Sequence, residues 1–564
     1  MFYPKMTVQE VLLTLGKEYM KANDIEHSIA DAIYYGNVLL SEYCSNQTIF
    51  FTTGNNGGAY INNDELVEMF QKKERERIVQ FQPTEMYYDY CVRQYDDKVI
   101  KSNILIEKYN YKTINNVLSN NVTLCLNHLN NIEWQIYQPL SKFHRLDWHN
   151  DDKADDNYKA ECIEIESHYE KLKNKVFYFN HTMDRRGRIY CNSYPLTYQG
   201  DEYQKAMLEP TRKYLTDDTA MKYIQHDIAN HFGLDKATFG EKEQFVQSNE
   251  DFRLKLVLSN PDKSVLLKQA KEPLLFYKAV DKYYQAKEGK EINYFSKIDA
   301  TASGMQILAI CSQSPELAKY TNLTDGTKCY DYYLEAKKAL DLQEKDEHKV
   351  EVRKLFKKAV MTYWYNSKAV ITKTSESLKE LGYDVSEQEL TQAIEKCSFG
   401  AHKIKNLANK LFEMIPKDVT NIEYVMPDGF IVDIPMLKPK AQSVSTAHYS
   451  ATFRYYVNEY HYETNHRAII ANIIHSIDSY ICRQMIRKLS NYTKIAAIHD
   501  CYLVNPNYVP LARKFYKEIL ASIATDNVLA SIVAQINPEF YEANKEALDI
   551  KEMSFDITSD YCLS

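Results

Sequence analysis

Two stretches decide how this chain reads: Tyr294–Ser312, YFSKIDATASGMQILAICS, and Lys494–Val504, KIAAIHDCYLV. In the first, strand-forming residues run into Asp299, and a step of small residues then opens a helix at Ser303. An aspartate at the carboxyl end of a strand is well placed to bind a metal, and equally well placed to cap the following helix. In the second, two apolar arms flank His499–Asp500, the pattern of a tight hairpin with Asp500 at its tip. A His-Asp dipeptide is also common in purely structural turns. Brought together, the two carboxylates could hold two Mg2+ ions. Hard oxygen ligands suit Mg2+, which keeps its other positions for water and phosphate oxygens. Two such ions about 3.5–4 Å apart activate a hydroxyl and stabilise a leaving pyrophosphate.

Between them lies Val352–Lys373, VRKLFKKAVMTYWYNSKAVITK. From Arg353 to Lys373 it carries six basic side chains and no acidic one. On a helix Arg353 and Lys357 are i,i+4 neighbours, and Met361 and Tyr365 extend the same stripe. Two cations, an apolar residue and an aromatic ring suit a nucleotide, with phosphates on the cations and base against the ring. A solvated basic helix face would have the same composition. A third cluster, Phe179–Tyr190, FNHTMDRRGRIY, sets Asp184, Arg186 and Arg188 around Gly187. A glycine there lets backbone or phosphate approach closely, though a surface ion-pair turn would look alike.

In their order along the chain, these segments resemble the single-subunit RNA polymerases of bacteriophages and mitochondria. DRRGRIY is similar to that family's D-x-R-G-R-x-Y segment, and IDATASGMQ to its first catalytic motif. RKLFKKAVMTYWYNSK resembles its nucleotide-binding helix, R-x-x-x-K-x-x-x-M-T-x-x-Y-G-S. IIHSIDS resembles an H-S-x-D segment, and AIHDCY the I-H-D-S/C motif. Weaker matches are AKEPLLFYKA, MPDGFIV at 426–432 and the final DITSDYCLS. The likeness runs from about Val122 to Ser564. Each motif alone is unspecific; their shared order is specific.

The resemblance implies roles at matching positions. Asp299 and Asp500 would be the metal-binding catalytic carboxylates, with the Ala300 carbonyl also facing a metal. Arg353 and Lys357 would grip the triphosphate, with Lys358 beside them among the substrate-binding positions. Tyr365 would pack by the insertion site and, with His475, read the ribose 2′-hydroxyl. Asp184, Arg186 and Arg188 would contact template or hybrid, and His499 would support the catalytic hairpin. The implied cofactor is a pair of Mg2+ ions. The implied partners are a DNA template, an RNA transcript and ribonucleoside triphosphates. Asn366 departs from the family's glycine, Lys358 from its usual arginine, Ala300 from its usual glycine and Ile307 from its usual histidine.

The implied fold class is α+β, mostly helical, a right-hand polymerase with palm, fingers and thumb. Residues 1–120 would form a small N-terminal domain and 121–174 a reduced thumb region. Residues 175–315 would be the first part of the palm, and 316–475 the fingers with the nucleotide-binding helix. Residues 476–564 would complete the palm and carry the C-terminal tail. By periodicity, residues 7–45 read as helical, 47–62 as a hairpin, 121–143 as helical, 161–175 as a helix leading into a strand, and 350–368 as a long amphipathic helix.

The rival enzyme reading is a DNA polymerase of the related right-hand family. Such enzymes place a glutamate five residues after the first catalytic aspartate, where this chain has Gly304. A primase-like role shares the same chemistry and stays open. A scaffold without catalysis would normally have lost one of Asp299, Asp500, Lys357 or Tyr365, and all four are present.

The net charge of −8 and the pI of about 6.1 argue, as a bulk average, against a nucleic-acid-binding chain. The average hides the basic run from Arg353 to Lys373 and the cluster at Arg185, Arg186 and Arg188. A chain without a positive surplus should hold free DNA weakly. With the short stretch ahead of Asp184, it leads to the expectation of a compact enzyme needing an accessory protein, or a single-stranded or premelted template. Arg454, Tyr455, Tyr460, His461, Tyr462 and Arg467 interleave cations with aromatics, as base stacking and phosphate contact require, or as a packed hairpin does. The eleven cysteines are scattered without a C-x-x-C pair, which fits reduced thiols. The first residues lack an apolar h-region and carry acids, so the expected location is intracellular, the host cytoplasm for a phage-encoded protein.

Overall fold

The computed structural model describes residues 120–143, 156–191, 196–343, 348–364, 368–416, 421–445, 452–460 and 462–564. It adds isolated positions at 193, 345 and 419 and scattered ones before residue 120. The chain forms two compact units, Met1–Met86 with Pro435–Asn465, and Tyr87–Ile434 with His466–Ser564. In the first unit Phe51–Thr53 pairs antiparallel with Ala59–Ile61, as the hairpin expected at 47–62 requires. A longer ribbon pairs Leu437–Ser445 with Thr452–Tyr460, in register from Leu437↔Tyr460 to Ser445↔Thr452. That ribbon carries Arg454, Tyr455 and Tyr460; His461 lies outside the described residues.

The second unit holds α1 (Asn120–Asn130), β1 (Trp134–Ile136), α2 (Asp156–Leu172), β2 (Phe177–Phe179), β3 (His181–Met183), β4 (Ile189–Cys191) and β5 (Leu208–Pro210). Next come α3 (Asp218–Phe232), α4 (Pro273–Lys287), β6 (Ser296–Asp299), α5 (Ser303–Ser312) and α6 (Lys349–Trp364). It closes with β7 (Asn421–Val425), β8 (Ile431–Pro435, to Ile434 in this unit), α7 (Tyr462–Leu489, from His466 in this unit), β9 (Ile495–Ile498), β10 (Cys501–Val504) and α8 (Val509–Thr525). One sheet runs Val92–Gln94, β2, β1, β5; another runs β9, β10, β6. The β3–β4 and β7–β8 pairs are separate hairpins.

Local chemistry explains the boundaries. Asp217 caps α3 by accepting from the Ala220 N–H, and Gly233 ends it at φ 120°. The segment 121–143 is not one helix. After α1 it turns into a strand and then a short 3-10 turn at Gln138–Lys142. Trp134 and Ile136 alternate inward, Trp134 stacks on Tyr198 at 5.1 Å, and Pro139 bars an α-helical continuation. The helix expected at 350–368 runs from Lys349 to Trp364; residues 365–367, Tyr365 among them, lie outside the described ones.

The core around α5 positions the site. Met305 to Cys311 are buried on every face of that helix. Its one long polar side chain, Gln306, donates to the Thr321 and Cys562 carbonyls at 3.1 and 3.0 Å and accepts from the Tyr516 hydroxyl at 2.7 Å. A buried amide so satisfied locks α5 to α8 and to the chain's last residues.

Behind the sheets, His181 is 2 % exposed. Its Nδ1 donates to Asn130 Oδ1 at 2.8 Å, so Nε2 accepts from the Tyr198 hydroxyl, also at 2.8 Å. Burial pushes its pKa down to about 3, so the folded protein refuses a proton that the unfolded chain takes up near the ordinary value of 6.5. Stability should therefore fall as pH drops from about 6.5 towards 4, by up to about 1.4 kcal/mol per pH unit for one such histidine. Melting temperatures across that range should show the slope, and His181→Gln should make it shallower, with other buried histidines such as His226 keeping part of it.

Candidate active site

Antiparallel pairing places the two aspartates. Cys501 of β10 faces Asp299 of β6, and the Ala300 N–H donates to the Asp500 carbonyl at 3.1 Å. Asp299 therefore ends its strand beside the two-residue turn that carries Asp500. His499 takes the left-handed conformation (φ 59°) that so tight a turn needs, and packs edge-on against Tyr190 at 5.1 Å. The chain's last residues flank β6 on its other side. Ser564 exchanges backbone hydrogen bonds with Asp299, and the Thr301 N–H donates to the Cys562 carbonyl at 3.1 Å. The step into α5 is strained, with Ala302 at φ 57°.

Above this rim is a cleft of about 460 Å3. Asp299 opens to solvent through it, while protein crowds its carboxylate elsewhere. That crowding, and then the charge of Asp500, push the Asp299 carboxyl up to about 6. Facing it is α6. Its Val352, Phe356, Ala359, Val360 and Trp364 are buried, and on the adjoining stripe Arg353, Lys357 and Met361 line the cleft together with Trp364. Arg353 Nε pairs with Asp331 at 2.5 Å, and Lys357 Nζ lies 5.6 Å from the centre of the Tyr333 ring. Lys358 is exposed and does not line the cleft. One step along a helix turns a side chain by about 100°, so it cannot share the direction of Lys357.

The turn at Asp184 serves the protein first. Its Oδ1 accepts from the backbone N–H groups of Arg186 and Arg188 at 2.9 and 3.0 Å, and its Oδ2 accepts from Arg186 Nη2 at 2.6 Å. Arg186 also reaches His475 Nδ1 at 2.9 Å. A guanidinium can only donate, so Nδ1 accepts and a neutral His475 ring carries its proton on Nε2. Burial, then Arg188 and Arg186, push the His475 pKa down to about 3, which keeps the ring neutral. Arg188 lines the cleft and pairs with Asp478 at 3.0 Å. Structure thus brings Asp299, Ala300, Asp500, Arg353, Lys357, Arg188 and His475 to one cleft, and leaves Asp184 and Arg186 beneath it as framework.

Sequence reading missed Asp235, Lys236, Lys271, Asp331 and Asp478, all of which line the cleft. Two signals were present: Lys271 stands in AKEPLLFYKA, and Asp478 is the acid of the H-S-x-D segment. Among the described lining residues, cations and acids balance. Asp235 takes Lys271 at 3.5 Å, Asp331 takes Arg353 and Asp478 takes Arg188, but neither Asp299 nor Asp500 forms an ion pair. No three His, Cys, Asp or Glu side chains among the described residues converge enough to cage a metal alone. The donor set is thus two hard carboxylates with open positions. It fits Mg2+ of the kind that shares its shell with water and substrate phosphates.

Comparison with known proteins agrees with this geometry. The family model described as DNA-dependent RNA polymerase matches residues 215–559, more than half of the chain. The chain belongs to that family, and its mostly helical α+β fold is of the right-hand polymerase class. A probable DNA-directed RNA polymerase of Gelasinospora sp. (strain G114) is 25% identical, over 66% of this chain and 50% of its own length. One from Podospora anserina is 23% identical, over 73% of this chain and 53% of its own. The mitochondrial DNA-directed RNA polymerase of Schizosaccharomyces pombe is 26% identical over 32% of this chain and 16% of its own. The chain spans about half the length of the first two relatives.

The turn beneath the cleft hangs on one buried pair. Arg483, 1 % exposed, holds Asp428 through Nε at 2.5 Å and Nη2 at 3.0 Å, and donates from Nη1 to the Gly187 carbonyl at 3.1 Å. Gly187 has φ 82°, and a Cβ there would sit 2.2 Å from Arg483 Nη1. Asp428→Ala, which strands a buried guanidinium, should cost about 3–5 kcal/mol in chemical denaturation. Gly187→Ala should cost about 1–3 kcal/mol through strain and displacement of the same group.

Proposed function

We propose that this chain is a DNA-directed RNA polymerase that extends an RNA 3′ end with ribonucleotides copied from a DNA template. The observation that carries the reading is a contrast within one cleft. Among the described residues, Asp299 and Asp500 alone of the cleft's acids form no ion pair, and they face Arg353 and Lys357 on a single helix. In nucleotidyl transfer the transcript's 3′ oxygen bonds to the α-phosphorus of the incoming triphosphate. The bond from that phosphorus to the bridging oxygen breaks, and pyrophosphate leaves. Asp299, Asp500 and the Ala300 carbonyl would hold two Mg2+ ions, which when bound lower the pKa of the 3′-hydroxyl and take up charge on the leaving pyrophosphate.

The protein's own groups do the rest. Lys357 neutralises the triphosphate from its open position on α6, and Arg353 joins it by sharing its guanidinium between Asp331 and phosphate. His475, which lines the cleft, is assigned to the sugar by its place in the family pattern. Tyr365, outside the described residues, is assigned the same sugar edge by its place in the family pattern. A site that hydrogen-bonds a hydroxyl rejects a substrate lacking it, because its polar groups are then left unpaired. Gly304, the second residue of α5, puts no side chain where a DNA polymerase would have its excluding glutamate. Template delivery by an accessory protein, or a template already open, accords with the net negative charge of the chain. Triphosphate substrates would place the activity inside a cell, and the relatives named above come from fungi and include a mitochondrial enzyme.

Nucleotide incorporation by the purified protein tests this directly. It should incorporate rNTPs over dNTPs, and do so better on single-stranded or premelted than on linear duplex DNA. Asp299→Ala and Asp500→Ala should lose at least about a thousandfold in rate. Activity surviving in either variant would refute the carboxylate assignment. Arg353→Ala and Lys357→Ala should each lower kcat/KM for NTP by about 10- to 100-fold. Tyr365→Phe and His475→Ala should instead narrow the rNTP-to-dNTP ratio, and an unchanged ratio in both would remove the sugar assignment.

A further inference from the structure

The strongest unabsorbed feature of the cleft is Asp478. It lies on α7, three residues past His475, and is 4 % exposed. Its Oδ2 holds Arg188 Nη2 at 3.0 Å, and the Ser303 hydroxyl at the start of α5 bonds it as well. One carboxylate therefore ties together the Asp184 turn, α7 and the helix that follows Asp299.

Arg188 is the reason this tie matters. It lines the same cleft as Asp500, and its neighbours of opposite charge are Asp478 first and then Asp500. Burial works against the Arg188 charge, while Asp478, then Tyr190 and Asp500, favour it, leaving its pKa raised. A guanidinium in a part-buried cleft seeks a carboxylate, and such charge-assisted pairs are among the strongest hydrogen bonds proteins make. An Arg188 free to turn would find Asp500. It would then sit where a cation bound to the rim carboxylates has to sit. Two other cleft cations are managed alike: Asp235 takes Lys271, and Asp331 takes Arg353.

Resting on the polymerase reading above, we propose that Asp478 is a positioning residue that holds the Arg188 guanidinium off Asp500, leaving Asp299 and Asp500 free for divalent cations. Asp478 does not itself bind the metal in this scheme. Its effect on cation affinity passes entirely through Arg188, which makes the idea separable from a simple third-ligand role.

The test is Mn2+ binding to the full chain, read from the free-ion signal in electron paramagnetic resonance, without nucleotide or template. Asp478→Asn should weaken Mn2+ binding by about tenfold, as expected when a fixed positive charge moves onto a metal-binding carboxylate. Adding Arg188→Met should restore binding to near the wild-type value, and Asp478→Glu should retain it. In activity, Asp478→Asn should raise the Mg2+ concentration needed for half-maximal rate while leaving KM for NTP at saturating Mg2+ unchanged. Unchanged Mn2+ binding in Asp478→Asn, or no recovery in the double variant, overturns the proposal. If Asp478→Asn does not fold, the double variant decides: wild-type Mn2+ affinity supports the proposal, and weakened affinity overturns it as the mark of a direct ligand. Asp500→Asn separates the two levels. If it binds Mn2+ as tightly as wild type, the metal-site reading fails; if it loses binding while Asp478→Asn keeps it, only the present inference fails.

Discussion

Antiparallel pairing of β6 with β10 forces Asp299 and Asp500 onto one rim of a three-stranded sheet, and the repulsion between them is the constraint that the surroundings have to meet. Two like charges side by side would normally be relieved by a nearby arginine or lysine. Here relief from within the chain would defeat the site, because a paired carboxylate is not available to a cation. The fold resolves the conflict by geometry. Backbone hydrogen bonds from Asp299 to Ser564 and from Ala300 to Asp500 hold the rim, and each neighbouring arginine has an acid of its own. What remains is a pair of carboxylates open to divalent cations, with Asp299 holding its proton more tightly than an ordinary aspartate.

Holding that arrangement requires rigid support below it. The Asp184 turn is closed by its own carboxylate and bolted to Arg483, whose bidentate partner Asp428 belongs to the β7–β8 turn. Buried ion pairs seldom add net stability, since desolvation consumes most of the attraction. Their usual benefit is uniqueness: only one placement of the Asp184 turn satisfies Arg483, Asp428 and the Gly187 carbonyl together. That placement fixes Arg186 on His475 and Arg188 on Asp478. Cleft geometry and core geometry are therefore the same problem at this point in the molecule.

How much of this was readable beforehand divides along a physical line. Asp299, Asp500 and the cleft stripe of α6 follow from local pattern: strand formers ending in an acid, a two-residue turn between apolar arms, and cations at helical spacing. Asp235, Asp331 and Asp478 do not, because an acid on a helix or in a loop carries no local mark of which cation it will meet. Lys358 shows the converse. A matched position in a family pattern conveys neighbourhood but not the angle around the helix, and here the angle excludes it from the cleft. The segment 121–143 was misjudged for a nearer reason. Its leucines and isoleucines satisfy helical spacing, but Trp134 and Ile136 alternate and Pro139 follows, and tertiary pairing with β2 and β5 settles the competition.

The charge of the cleft completes the argument about the acidic total of the chain. Arg188, Lys236, Lys271, Arg353 and Lys357 are matched one for one by Asp235, Asp299, Asp331, Asp478 and Asp500. Such a cleft is neutral, so it does not attract a bare polyanion strongly. A triphosphate with about four negative charges and two divalent cations is also neutral as a set. On the function proposed, the cleft matches that set as a whole better than it matches the triphosphate alone. Arg353 leans on phosphate more readily when cations relieve the rim opposite, and those cations are held more tightly when phosphate oxygens complete their shells. The surplus of −8 is then carried by surfaces away from the cleft and says little about the chemistry within it.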